Sequence, residues 1–106
     1  MTVVRAIRGA ISVPEDTRDA IHARTTELVA AVLERNGLQP HDLISVIFTS
    51  TEDLVADFPA AAAREAGLGA VPLLSCREIP VPGSLPLCVR LLAHANVPSG
   101  HTVQHV

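Results

Sequence analysis

The sequence predicts an α+β fold with its elements in the order β-α-β-α-β-β. Three observations carry this. Residues 18–36 keep a helical apolar stripe, four other stretches have the length and composition of strands, and Gly, Pro and Asn punctuate the intervals. Four strands with two helices suit a sheet covered on one face only. The opposite face then needs a cover from another subunit, so the pattern predicts an oligomer.

Residues 3–12 (VVRAIRGAIS) alternate, with Val3, Arg5, Ile7 and Gly9 on one face and Val4, Ala6, Arg8 and Ala10 on the other. Val13-Pro14-Glu15-Asp16 ends that strand, and Thr17 is placed to cap a helix. Ile21, Thr25, Leu28, Val29 and Val32 fall at i, i+4, i+7, i+8 and i+11, one face of that helix. Asn36-Gly37 closes it with residues that tolerate the left-handed conformation. After the turn Gln39–Asp42, Leu43–Ser50 is nearly all apolar and β-branched, as in a buried strand. Thr51–Leu54 reads as a cap and one helical turn. Pro59 suits the first turn of a second helix over 60–66, stopped by Gly67. A third strand is expected over 71–76 and a fourth over 87–96. Between them Pro80, Pro82 and Pro86 impose an irregular loop. The tail from Val97 to Val106 has no clear period.

The chain has 106 residues, no repeat and no linker, and reads as a single domain over 1–106. Eight Arg against eleven Asp plus Glu leave a net charge of −3, with no basic block. Phosphate-driven nucleic-acid binding is therefore not expected. With Phe48 and Phe58 as the only aromatic residues, a base-stacking platform is ruled out as well. No apolar run approaches the ~20 residues of a membrane span. Arg5 and Arg8 interrupt the N-terminal apolar stretch where a signal peptide would be continuous. A cytoplasmic location is expected. Cys76 and Cys88 are expected as core residues of facing strands. The all-Arg basic set has two readings: codon usage in a GC-rich genome, or sites that need a rigid fork of donors for carboxylates.

Arg90 is the most informative position, because it lies in an apolar strand where an unpaired buried charge is too costly. A structural ion pair with Glu78, a solvated edge position and a ligand site all fit its spacing. Arg8 poses the same question on the first strand, and Glu78 is either a solvated turn carboxylate or a rigidly held acceptor. Two guanidiniums and one carboxylate around a pocket would suit a dianionic guest that also carries a hydroxyl. Ser75 and Cys76 lack a nucleophile elbow. His101 and His105 have half the spacing of a zinc site but no partner ligands. Neither a metal nor a cofactor is expected.

The sequence resembles the AroH-class chorismate mutases, the small trimeric type. Arg5-Ala6-Ile7-Arg8-Gly9-Ala10, Asp53-Leu54, Phe58-Pro59-Ala60 and Arg64 carry the first half of the likeness. Val71-Pro72-Leu73-Leu74, Glu78, Val81-Pro82-Gly83-Ser84-Leu85-Pro86, Arg90 and Gln104-His105-Val106 carry the rest, in order and nearly end to end. The resemblance implies βαβαββ subunits with a mixed sheet, a homotrimer forming a pseudo-α/β barrel, and active sites between subunits. It implies the Claisen rearrangement of chorismate to prephenate on the route to phenylalanine and tyrosine, a pericyclic step that requires neither nucleophile nor cofactor. By the same resemblance Arg8 would grip a carboxylate, Arg90 would donate to the ether oxygen, and Glu78 would accept from the ring hydroxyl with Ser75 beside it. Phe58 and Arg64 would come from the neighbouring subunit, with Leu73 and Leu74 lining the wall.

The chain departs from the family pattern in places. Ser75 stands where a cysteine is common and Ala61 where a lysine often sits. The family usually continues past the final His-Val into a segment with a Tyr and an Arg-Pro-Asp, whereas this sequence stops at Val106: either a longer chain is cut short here, or, if Val106 is the natural end, weaker closure over the substrate is expected and activity is in doubt. Two other readings stand beside the enzyme: a non-catalytic trimeric homologue that binds small anions or regulates a partner, and a different small-molecule enzyme on a similar trimeric fold, such as an imine deaminase.

Overall fold

The computed structural model describes residues 1–106 as a four-stranded sheet with helices packed on one face. Strand β1 spans Thr2–Ser12, helix α1 Arg18–Asn36, β2 Leu43–Ser50, α2 Pro59–Ala63, β3 Leu73–Arg77 and β4 Cys88–Pro98. The order across the sheet is β1-β4-β2-β3. β4 runs antiparallel to both β1 and β2, while β2 and β3 are parallel, so the sheet is mixed. The parallel pair needs a crossover, and α2 supplies it. No helix is long and apolar enough to cross a membrane.

Helix α1 forms where the stripe placed it. Thr17 Oγ1 accepts the Ala20 N–H, and Gly37 (φ 62°) ends the helix in the left-handed region. Its buried side chains Ile21, Leu28, Val29 and Val32 meet Ile7 of β1, Val46 and Phe48 of β2, and Val89, Leu91 and Ala93 of β4 in one core. Phe48 is fully buried at its centre.

The residues after helix α1 differ from expectation in four respects. Thr51–Leu54 is a hydrogen-bonded turn, not a helical one, because the Arg77 guanidinium donates to Thr51 O and Leu54 O and the Cys88 backbone N–H donates to Thr51 Oγ1. The second helix ends at Ala63 and relaxes into a wider π-type turn over Arg64–Leu68, where Gly67 takes φ 107°. Strands β3 and β4 each lie one or two residues further along the chain than the apolar runs suggested. Cys76 is exposed and only Cys88 is buried, since β3 is an edge strand whose outer face has no cover; β2 also separates the two cysteines.

The tail is irregular yet held. Buried Asn36 donates to Gln104 O and accepts the Gln104 N–H, each at 2.9 Å. Beyond it Val106 N donates to Arg8 O and Val106 O accepts from Ala10 N, so the last residue pairs with the free edge of β1. Gly9 allows this approach: a Cβ there would lie 3.0 Å from Leu28 Cδ1 and 3.3 Å from Val106 Cβ.

The other face of the sheet is bare. Register places Ala10, Arg90, Thr49 and Cys76 in one row across it, and Arg8, Leu92, Ile47 and Leu74 in the next. Leu74 is 57 % exposed and Leu92 40 %, so this chain leaves apolar side chains uncovered on the face that also bears its candidate arginines.

Candidate functional site

Arg90 points from the bare face because β4 alternates Val89, Leu91 and Ala93 into the core. Its Nε lies 3.2 Å from Glu78 Oε1. Thr49, opposite Arg90 on β2, donates to that same oxygen at 2.6 Å. Glu78 follows β3 directly, and its N–H donates to Ser50 O, which extends the ladder by one residue and holds the carboxylate against β2. The pair therefore joins two strands that are not neighbours, with Thr49 between them.

Glu78 and Arg90 line a cavity of about 540 Å³ with Thr51–Asp53 and the loop 79–86. Arg8 sits diagonally from Arg90, since Arg90 faces Ala10 and Arg8 faces Leu92. Diagonal pairs lie within reach of long side chains. Two exposed guanidiniums thus share one end of the sheet face with a half-buried carboxylate.

The remaining expected residues fall elsewhere in a single chain. Phe58 and Ser75 line a second cavity of about 420 Å³, along with Cys76 and Arg77. Ser75 turns toward the helices, where its Oγ accepts a 3.4 Å bond from Ala60 N, so it is not beside Glu78. Leu73 and Leu74 project to opposite faces of β3 and do not share a wall; Leu73 packs on the core and Leu74 is exposed. Arg64 is exposed on the π-type turn, and Phe58 is 67 % exposed at the start of α2. Arg5 lies on the face opposite Arg8, as its odd offset requires.

Two carboxylates brace the loops around these cavities. Asp57 accepts from His22 Nε2 at 2.6 Å and from Phe58 N at 2.7 Å. Those bonds, His22 first, hold its carboxyl below the usual carboxylate range. His22 Nδ1 faces Glu65 Oε2 at 3.3 Å, and Arg18 approaches Asp57 and Glu65 at 3.8 and 3.5 Å. The Thr51 hydroxyl, and then the Leu87 N–H, likewise lower Asp53. Sequence reasoning missed Thr49, Thr51 and Asp57. Thr49 had a faint signal, as the polar end of a strand that is otherwise apolar.

A fixed guanidinium beside an anchored carboxylate, in a cavity of this size, defines a site for a small anionic molecule bearing a hydrogen-bond donor. Similarity to known proteins narrows that class. The family described as chorismate mutase type I matches residues 4–106, and the chain belongs to it. It is 56 % identical over 106 residues to "Chorismate mutase AroH" of Thermus thermophilus, covering 98 % of this chain and 87 % of that protein. It is 36 % identical to "Chorismate mutase AroH" of Bacillus subtilis, covering 98 % and 84 %. A solved chorismate mutase from Clostridium thermocellum superposes with a TM-score of 0.91 at 44 % identity, covering 96 % of this chain and 92 % of that one.

Proposed function

We propose that this protein rearranges chorismate to prephenate, in aromatic amino-acid biosynthesis, as a single domain over residues 1–106 acting in the cytoplasm. The observation that carries the site assignment is the Arg90–Glu78 pair at one cavity wall, fixed by Thr49. In a Claisen rearrangement the C–O bond breaks while a C–C bond forms, and negative charge grows on the ether oxygen. Arg90 donates to that oxygen. A preorganised donor favours the transition state because its interaction strengthens as the charge develops. Glu78, with its second oxygen outside the Thr49 bond, accepts from the ring hydroxyl. Arg8 grips a carboxylate and holds the substrate in its compact conformation, which removes freedom before reaction. With a net charge of −3, the overall field repels a dianion, so these local arginines must attract it.

Three copies of the chain complete the site. The bare sheet face, with Leu74 and Leu92 exposed, supports burial against other copies. Phe58 and Arg64 then reach the Arg90 cavity from a neighbouring protomer, with Leu74 and the second cavity bordering the cleft. Ser75, turned to α2, and Leu73, on the core side, support that wall from behind. Absorbance loss of chorismate tests the reading directly, because a protein without Trp or Tyr adds little background. Purified protein that leaves chorismate unchanged overturns it.

A further inference from the structure

Leu87 is the only non-glycine residue of the chain with positive φ, at 48°. This left-handed region is unfavourable for a side chain with a Cβ. It falls where the proline loop ends and β4 begins, three residues before Arg90. Both polar groups of Leu87 are engaged: its N–H lies 3.2 and 3.0 Å from the two Asp53 carboxylate oxygens, and its carbonyl accepts from Val13 N at 2.8 Å. Asp53 is itself held by the Thr51 hydroxyl at 2.5 Å. Thr51 also clasps Cys88, with Cys88 N donating to Thr51 Oγ1 at 3.0 Å and Thr51 N donating to Cys88 O at 3.1 Å. Arg77, next to Glu78, donates to Thr51 O and Leu54 O at 2.7 and 3.1 Å. The turn Thr51–Leu54 therefore ties the residue before Glu78 to the residues before Arg90.

We propose that Asp53 is a positioning residue for the rearrangement: its carboxylate holds Leu87 in the left-handed conformation and so sets the placement of Arg90 against Glu78. Neither neighbour of Leu87 explains its conformation. Pro86 offers no donor, and Cys88 already lies in the strand ladder. Strained backbone persists where surrounding groups over-determine it, and the Leu87 N–H, shared between both Asp53 carboxylate oxygens, is so held here. Loss of the carboxylate lets Leu87 return to negative φ and moves the start of β4. A misplacement of about 1 Å at a reacting group costs on the order of a hundredfold in rate.

This inference rests on the proposed reaction, and a paired-variant experiment separates the two. Wild-type turnover and its loss in Arg90→Ala establish the reaction. Asp53→Ala is then expected to lower kcat about 10- to 100-fold with a smaller change in KM. Leu87→Gly alone gives up a side chain that packs on the core, yet it should lower kcat less than Asp53→Ala does, since glycine adopts positive φ without steric cost. Combined with Asp53→Ala, it should recover most of the lost kcat. A kcat within twofold of wild type in Asp53→Ala, or no recovery in the double variant, overturns the proposal. If Asp53→Ala does not fold, Asp53→Asn, which keeps one acceptor oxygen, should show an intermediate loss that Leu87→Gly again repairs. A crystal structure of the Asp53 variant supplies a readout independent of turnover: negative φ at Leu87 supports the role, and an unmoved Leu87 and Arg90 defeat it.

Discussion

Arg90 Nε lies 3.2 Å from Glu78 Oε1, and Arg90 keeps half of its side chain exposed. An ion pair in such a setting contributes at most about 1 kcal/mol to stability. Its geometry is nonetheless over-determined by β4, β2 and the end of β3. A pair that adds little to folding and is held this firmly is better explained by what it does to a ligand.

Arg90→Ala should therefore separate stability from catalysis. Thermal unfolding should shift little, while kcat falls by about 10²–10³ or more, as for loss of one preorganised donor. Arg90→Lys keeps the charge but not the planar fork and should recover only a small part of the rate. Steady-state kinetics beside calorimetry gives both numbers; unchanged turnover in Arg90→Ala rejects the assigned mechanism.

Thr49 holds the carboxylate oxygen that Arg90 approaches. Thr49→Val preserves shape and removes the donor, and a hydrogen bond to a charged group is worth about 1.5–3 kcal/mol. The expected result is a fall in kcat/KM of about tenfold or more, with Thr49→Ser restoring most of it. Equal activity in the Val and Ser variants contradicts this role.

Gly9→Ala should destabilise the fold by about 1–3 kcal/mol, the usual range for overpacking a filled site. The added methyl meets Leu28 on one side and Val106 on the other. Denaturant unfolding measures the loss, and a truncation at Leu28 to Ala in the same background should relieve part of the clash. A variant as stable as wild type shows that the tail yields without cost.

Acid should weaken the brace under Phe58. The Asp57 carboxyl is lowered in the folded state, chiefly by His22. Its contribution is fully present above the unfolded carboxylate value of about 3.9 and is lost as pH falls through the lower folded value. Stability measured between pH 5 and 2 should decline less steeply in His22→Ala than in wild type. Parallel curves remove His22 as the cause.

Leu92→Glu tests assembly, since it places a charge at the centre of the bare sheet face. Sedimentation should show wild type as a trimer and the variant as smaller species, because burying an unpaired carboxylate is too costly. A variant that sediments like wild type argues that this face is not the subunit contact.

Helix α1, both its caps, the position of strand β2 and the irregular loop at 79–86 were all legible from local pattern, although β2 proves buried on one face only, at Leu43, Val46 and Phe48. Periodicity, capping residues and prolines act over a few residues, and those signals survive in one dimension. The bare sheet face also followed, from counting two helices against four strands. Arg90 and Glu78 could be singled out as charges in awkward places, yet their spacing left ion pair, solvent and ligand all open. Only the order β1-β4-β2-β3 decided that Thr49 stands between them, that Arg8 lies diagonal to Arg90, that Cys76 faces outward, and that Asp53 reaches Leu87 across 34 residues. Strand register and loop closure depend on contacts between distant segments, whose energies arise only once the chain has packed.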